Sequence, residues 1–234
     1  MPLVVKNLII INALFFLARY TLASTLNIDL NSILGLYYYN SPEFNPYQLI
    51  SYMFMHGGFS HIFFNMFALW MFGTQIENLW GPKRFLNYYL ITGFGAAFLH
   101  YLIIHFQISG LESYFTSNQI SEIVNSGAFN PSSPLFSKAR MLYGLHHTPV
   151  VGASGAVFGL LLAYGMTFPN QIIYLNLLFP IKAKYFVIIY GLLEFFMGVQ
   201  NSAGDNVAHF AHIGGMLFGF LLIKYWKKND MNFY

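Results

Sequence analysis

Long apolar runs broken by short polar segments dominate this chain. Six stretches are apolar and long enough, or nearly so, to cross a bilayer: residues 7–26, 60–79, 85–106, 154–168, 184–199 and 207–226. The hydrocarbon core of a bilayer is about 30 Å thick, so a spanning helix needs about 20 mostly apolar residues. The fourth and fifth stretches are short. The pattern predicts an all-α fold, a six-helix polytopic membrane bundle forming one domain over residues 1–234. The first stretch has features of a secretory signal, with Lys6 in front and Leu22-Ala23-Ser24 behind. Arg19 interrupts its apolar run and argues for a retained helix, with the side chain snorkelling or pairing near the helix end.

Two connections are long. Residues 27–59 carry Tyr37-Tyr38-Tyr39-Asn40-Ser41-Pro42, an aromatic-rich segment suited to the membrane interface. Residues 107–151 include the breaker Asn130-Pro131-Ser132-Ser133-Pro134. The mildly amphipathic stretch 108–124 before it predicts a surface helix.

Charge sets the orientation. With six spans, Lys6, Lys83, Arg84, Lys182, Lys184, Lys224, Lys227 and Lys228 all fall on one side. The long second loop on the other side holds Lys138 and Arg140. By the positive-inside rule both termini are cytoplasmic. Composition agrees with a membrane protein: 56% of residues are hydrophobic and 8% charged, with a mean hydropathy of +0.52. Soluble domains carry about 25% charged residues. There is no cysteine, which excludes disulfides and thiolate metal sites. The net charge of +3 is spread over short loops, so nucleic acid is not an expected partner.

Spans two, four and six run in the same direction, and each places polar residues in its outer half. Span two has His61 and Asn65, four residues apart and so on one helix face. Span four begins at Ser154, in Gly152-Ala153-Ser154-Gly155. Span six has His212. At 1.5 Å per residue, Ser154, His212 and Asn65 lie roughly 22, 18 and 24 Å above the cytoplasmic end. Three helices thus bring Ser, His and Asn to nearly one depth. Gly155 with Gly159, and Gly215 with Gly219, are G-x-x-x-G pairs that let backbones approach closely in lipid. A histidine base can then activate the serine hydroxyl, with backbone N–H groups at the helix start, His61 and Asn65 facing a developing oxyanion. Taken singly, a serine beside glycine in an apolar helix is an ordinary packing residue. It is the matched depth of all these residues that favours catalysis. The soluble-hydrolase elbow G-x-S-x-G does not fit, because position 156 is Ala.

Gly152-Ala153-Ser154-Gly155, Ala211-His212-Ile213-Gly214-Gly215 with Gly219, and His61-Ile62-Phe63-Phe64-Asn65 resemble the motifs of rhomboid intramembrane serine proteases, in the same order along the chain. The resemblance covers roughly residues 45–225, apart from the loop 107–151. It implies an intramembrane serine endopeptidase that cleaves transmembrane proteins near the outer membrane face and needs no cofactor or metal. Ser154 would be the nucleophile and His212 the base of a dyad without a required acid. His61, Asn65 and the Ser154 backbone would line the oxyanion hole, and Gly152 would form the turn before the nucleophile. Gly215 and Gly219 would pack span six on span four. Phe158 stands where some members have a tyrosine that stacks on the base. Glu77-Asn78-Leu79-Trp80-Gly81 resembles the family's cytoplasmic end of span two. A bare six-span core resembles prokaryotic members, so the expected location is the bacterial cytoplasmic membrane. A catalytically inactive relative that binds membrane clients is the alternative.

Other polar residues have weaker roles. His56 is a candidate support for the oxyanion site, and His209, one turn before His212, is expected to face the same cavity. Glu194 in span five is either a paired structural carboxylate or part of a gate. Asp205, seven residues before His212, is left open as a third triad member, with the dyad preferred. His100 and His105 are expected at the interface or in the core, and adjacent His146 and His147 are poorly placed to share one ion. Loop 200–206, with Gly204, is expected to cap the cavity, and span five to move for lateral substrate entry. Partners are transmembrane substrates and the bilayer, with the oligomeric state open.

Overall fold

In lipid every backbone polar group has to be satisfied within the segment, so apolar runs become helices. The computed structural model describes residues 1–175, 179–200 and 208–229, and most of them are helical. Helix α1 covers Leu3–Leu26. Short helices α2 (Leu30–Leu34) and α3 (Gln48–Ser51) lie in the first long connection. The second stretch is one helical path in three pieces: α4 (Phe59–Ala68), a π-helical turn (Leu69–Gly73) and α5 (Thr74–Trp80). Helix α6 (Pro82–Glu112) is followed by α7 (Ser117–Ser126) and α8 (Phe136–His147). Then come α9 (Ser154–Thr167), strands β1 (Ile172–Leu175) and β2 (Phe179–Lys182), α10 (Ala183–Gln200) and α11 (His209–Asn229). Among the described residues α1, α6 and α10 are each long and apolar enough to cross a membrane, and α9 is apolar but shorter.

Helix α9 is the centre of the core. Apolar on every side, it buries Ala156, Val157, Leu160, Leu161, Ala163 and Tyr164, as expected for a helix without a polar face. It packs on α6, α10 and α11 and on the π turn. With 14 residues it is about 21 Å long, short of the roughly 30 Å hydrocarbon core. The helix therefore cannot reach both membrane surfaces. Helix α6 is the opposite case: 31 residues give about 46 Å, more than a bilayer core.

The glycine pairs pack differently from the expected α9–α11 zipper. A methyl group on Gly215 would overlap the Gly155 carbonyl, so α11 does touch α9 backbone to backbone there. Gly219, however, faces the Tyr88 hydroxyl and Thr92 of α6, and Gly159 also faces Thr92. Tyr88 Oη donates to the Gly159 carbonyl at 2.8 Å, filling the gap between the helices. The small residues thus form a three-helix junction with α6. The reason is volume: the buried Tyr88 side chain takes the space beside Gly219 and the Gly159 carbonyl.

At the other end of the bundle the Glu77 carboxylate accepts from the backbone N–H of Val4 and Val5 at 2.9 and 2.8 Å. These are among the unpaired donors that begin a helix. Helix α1 has no acid in its own first turn, and α5 supplies one, with the charge also matched to the helix dipole. Trp80 and Trp226 pack edge to face with centroids 5.7 Å apart, and the Arg84 guanidinium lies over Trp226.

Three elements go beyond the sequence reading. The stretch 108–124 is not one helix: α6 runs on to Glu112, and Thr116 with Gln119 forms a capping box that starts α7 afresh. Helix α8 follows the Pro-rich breaker. Between α9 and α10 an antiparallel pair, with Ile172 opposite Lys182 and Ile173 opposite Ile181, adds a two-stranded hairpin to the otherwise helical fold. Its β-branched and aromatic residues suit a pleated ribbon. Ile104, Ile108, Ile123, Ala139 and Leu142 form a second small core beneath the outer connections.

Candidate active site

The turn before α9 is held from outside the helix. Leu36 and Val150 exchange two backbone hydrogen bonds, at 2.8 and 2.9 Å, and the Gly152 N–H donates to the Tyr52 carbonyl at 2.9 Å. Gly152 has φ +134°, a conformation open to glycine. A Cβ there would lie 2.8 Å from His61 Nε2 and 3.4 Å from Ser154 Oγ. The missing side chain leaves a small space between these two groups. Ser154 is the first residue of α9, and no side chain caps the helix.

His212 comes from α11, brought close by the Gly215–Gly155 contact one turn below. Its Nε2 lies 2.8 Å from Ser154 Oγ. Phe158, one turn below Ser154 on α9, stacks on the imidazole at 4.2 Å with an interplanar angle of 6°. His212 is 8% exposed. The other ring nitrogen, Nδ1, is 2.8 Å from Glu194 Oε2 of α10. The same carboxylate oxygen is 2.7 Å from His209 Nδ1.

On the facing helix, α4, the Gly57 N–H donates to His61 Nδ1 at 3.3 Å. That bond puts the His61 ring proton on Nε2, the nitrogen turned toward the Gly152 turn. Asn65 Nδ2 donates to the His61 carbonyl at 3.1 Å, and a primary amide has a second N–H to offer. His61, Asn65, Gly152, Ser154, His209 and His212 all line one cavity of about 870 Å³. His56 does not line it. It is fully buried and packs edge to face on the His61 ring at 5.0 Å.

Among the described residues Glu194, His209 and His212 form the one set whose metal-ligating atoms converge, within 4.8 Å of one another. Glu194 lies 2.7 and 2.8 Å from the two imidazole nitrogens. Those are hydrogen-bond lengths. Ligands bound at about 2.1 Å around a tetrahedral zinc stand roughly 3.4 Å apart.

A family model, the rhomboid domain, matches residues 43–228. The chain belongs to the rhomboid family. The match covers α4, α9 and α11, the three helices that carry His61, Ser154 and His212. Similar rhomboids include RHOMBOID-like protein 4 of Arabidopsis thaliana, 32% identical over 180 residues, which are 75% of this chain and 33% of that protein. RHOMBOID-like protein 12, mitochondrial, from the same plant is 30% identical over 174 residues, 72% of this chain and 43% of that protein. Rhomboid protease GluP of Bacillus subtilis is 30% identical over 176 residues, 74% of this chain and 25% of GluP. The chain thus matches less than half the length of each of these rhomboids.

Several residues have surroundings that the sequence left open. Glu194 was open between a paired carboxylate and a gate element, and it is paired, with the two α11 histidines. His100, expected at the interface or in the core, lines the cavity. His105 Nδ1 meets the hydroxyls of Tyr38 and Tyr39 at 3.0 and 3.1 Å. His147 bonds Glu43 and the Val124 carbonyl, while His146 lies edge to face against Tyr38. Arg19 reaches the Gly57 carbonyl at 3.2 Å and Asp29 at 3.9 Å. Asp205 and Gly204, and with them the expected cap over the cavity, lie outside the described residues.

Proposed function

We propose that this rhomboid is an intramembrane serine endopeptidase that cleaves transmembrane proteins near the outer membrane face. The observation that carries the reading is the 2.8 Å hydrogen bond between Ser154 Oγ and His212 Nε2 inside a polar-lined cavity. A serine hydroxyl is a weak nucleophile until a base takes its proton. In the proposed reaction Ser154 Oγ attacks the scissile carbonyl carbon while its proton passes to His212 Nε2. The carbonyl π electrons move onto oxygen, and the oxyanion meets His61 Nε2–H, Asn65 Nδ2–H and the Ser154 N–H. The space left by the missing Gly152 side chain suits that oxygen. Collapse of the intermediate expels the amine, which takes the proton from His212 and leaves an acyl-serine. Water then attacks the ester, giving one proton to His212 Nε2; collapse of the second intermediate breaks the ester bond, Ser154 Oγ takes that proton back, and the carboxylic acid product departs and loses its own proton to solvent.

We further propose that the chain is one membrane domain of six spans, with both termini on the cytoplasmic face of a bacterial membrane. The clustering of Lys and Arg supports this. So does the shared core, in which Val5 and Leu8 of α1 pack with buried residues of α5, α6, α9, α10 and α11. Substrate is proposed to enter laterally past α10, and water from the outer side. What supports lateral entry is the thin packing of α10: Leu192, Leu193, Phe195, Phe196 and Val199 are all exposed.

The test is cleavage of a labelled transmembrane substrate by protein purified in detergent. Ser154→Ala and His212→Ala are each expected to lower kcat at least about 10³-fold. Equal turnover by all three proteins would refute the dyad. A wild type that cleaves none of several substrates, and whose Ser154 is not labelled by a fluorophosphonate, would favour an inactive client-binding relative.

A further inference from the structure

The dyad that the family resemblance implies needs no acid, yet an acid is present. We propose that Glu194 is a positioning residue for catalysis, holding His212 in the tautomer and orientation that make it a base. The proposal rests on the serine-protease reading above.

The geometry is direct. Glu194 Oε2, His212 Nδ1, His212 Nε2 and Ser154 Oγ form a chain with links of 2.8 and 2.8 Å. A carboxylate can only accept, so His212 Nδ1 carries the proton. Neutral imidazole then has its lone pair on Nε2, facing the Ser154 hydroxyl. Without the carboxylate the ring is free to protonate Nε2 instead. In that tautomer His212 is a donor to Ser154 and cannot take its proton. The Glu194 charge also faces the imidazolium that forms during attack.

Burial supports a functional role. The Glu194 side chain is 13% exposed, and those of His212 and His209 are 10% and 7% exposed. A carboxylate at membrane depth is costly unless its oxygens are hydrogen-bonded, and such groups are seldom retained without a task. His209 Nδ1 gives the same oxygen a second donor at 2.7 Å. It anchors the carboxylate from α11, so the acid stays aligned while His212 gains and loses its proton. The partner ring is held on its other side by Phe158, parallel at 4.2 Å. The base is therefore fixed in plane by stacking and in rotation by Glu194.

The test compares wild type, Glu194→Gln, Glu194→Ala and Glu194→Asp in detergent, using a labelled transmembrane substrate and a fluorophosphonate. Glu194→Gln and Glu194→Ala are expected to lose about 10²–10³-fold in kcat, less than the roughly 10⁴-fold that loss of the acid costs a soluble Ser-His-Asp triad, with KM changed less than about twofold. The fluorophosphonate labelling rate of Ser154 should fall in parallel. Glu194→Asp keeps the charge and is expected to recover to within about tenfold of wild type. The readout independent of turnover is the ¹⁵N spectrum of His212. Wild type should show a protonated Nδ1 and a bare Nε2, and Glu194→Ala a mixture or the reverse. Wild-type kcat in both Glu194→Gln and Glu194→Ala would overturn the proposal. So would a loss of activity that merely tracks a lowered melting temperature with an unchanged His212 tautomer. If instead wild type neither cleaves nor is labelled, the protease reading itself fails, and the ¹⁵N arm still decides whether Glu194 sets the tautomer.

Discussion

Glu43, in the first outer connection, accepts from the Ser41 hydroxyl at 2.6 Å and from His147 Nδ1 at 2.8 Å. Since His147 Nε2 also faces the Val124 carbonyl at 2.7 Å, one imidazole ties the two outer connections together. Burial pushes the Glu43 carboxyl up, but the bonds from Ser41 and His147 and the charge of His147 outweigh it and hold it below 4.5. A folded-state value below the unfolded one adds stability that is present above the unfolded value and lost as pH falls through the folded one. Wild type is therefore expected to melt higher than Glu43→Gln at about pH 6–7, with the gap closing as pH drops below about 4.5. Thermal unfolding of both proteins across pH checks this, and a constant gap would refute it. At this scale the sequence was only partly legible. Ser154, His212, His61 and Asn65 stand out because polar side chains are conspicuous in apolar helices. The pairing of Glu194 with His209 and His212 was not legible. Helix α10 is apolar on every side of that one acid, so nothing in its pattern told which way Glu194 points.

Helix packing here depends on small residues at a few points. Gly215 sits against the Gly155 carbonyl, so Gly215→Ala must push α11 away from α9. Overpacking of this kind costs about 1–3 kcal/mol. The shift also moves His212 off Ser154, so kcat should fall at least about tenfold with the protein still folded. Gly110→Ala, at an exposed position of α6 away from the cavity with nothing within 4 Å of an added methyl, should leave kcat unchanged and should not lower the melting temperature. Equal behaviour of the two variants would count against the junction. The long apolar helices were legible as elements because hydropathy needs no tertiary knowledge. The β1–β2 hairpin was not, since its strands of 4 residues each are too short for a period to emerge. Gly155 and Gly215 were legible both as a close contact and in partner, whereas Gly159 and Gly219 were legible as close contacts but not in partner. G-x-x-x-G says that something approaches, and Tyr88 decides what.

At the scale of the whole molecule, the arrangement predicts a sided protein. The chain has no cysteine, so single introduced thiols report topology without background. Ser117 is exposed at the start of α7. Ser117→Cys is expected to react with a membrane-impermeant maleimide added outside intact cells, and Lys228→Cys near the end of α11 only after lysis. Reaction of both from outside would remove the six-span count or the cytoplasmic termini. The expected depth of the site follows from lengths alone: α9, about 21 Å long, is shorter than the roughly 30 Å bilayer core. The acid proposed to orient the base is carried not by α4, α9 or α11 but by α10, the helix proposed to yield to an incoming substrate. A substrate that displaces α10 would carry the carboxylate away from His212, and His212 would regain it only when α10 returns. Admission and hydrolysis would then be mutually exclusive, as in an interlock: the door must shut before the blade is armed. Membrane proteins that merely lodge in the entrance would hold the door ajar and escape being cut.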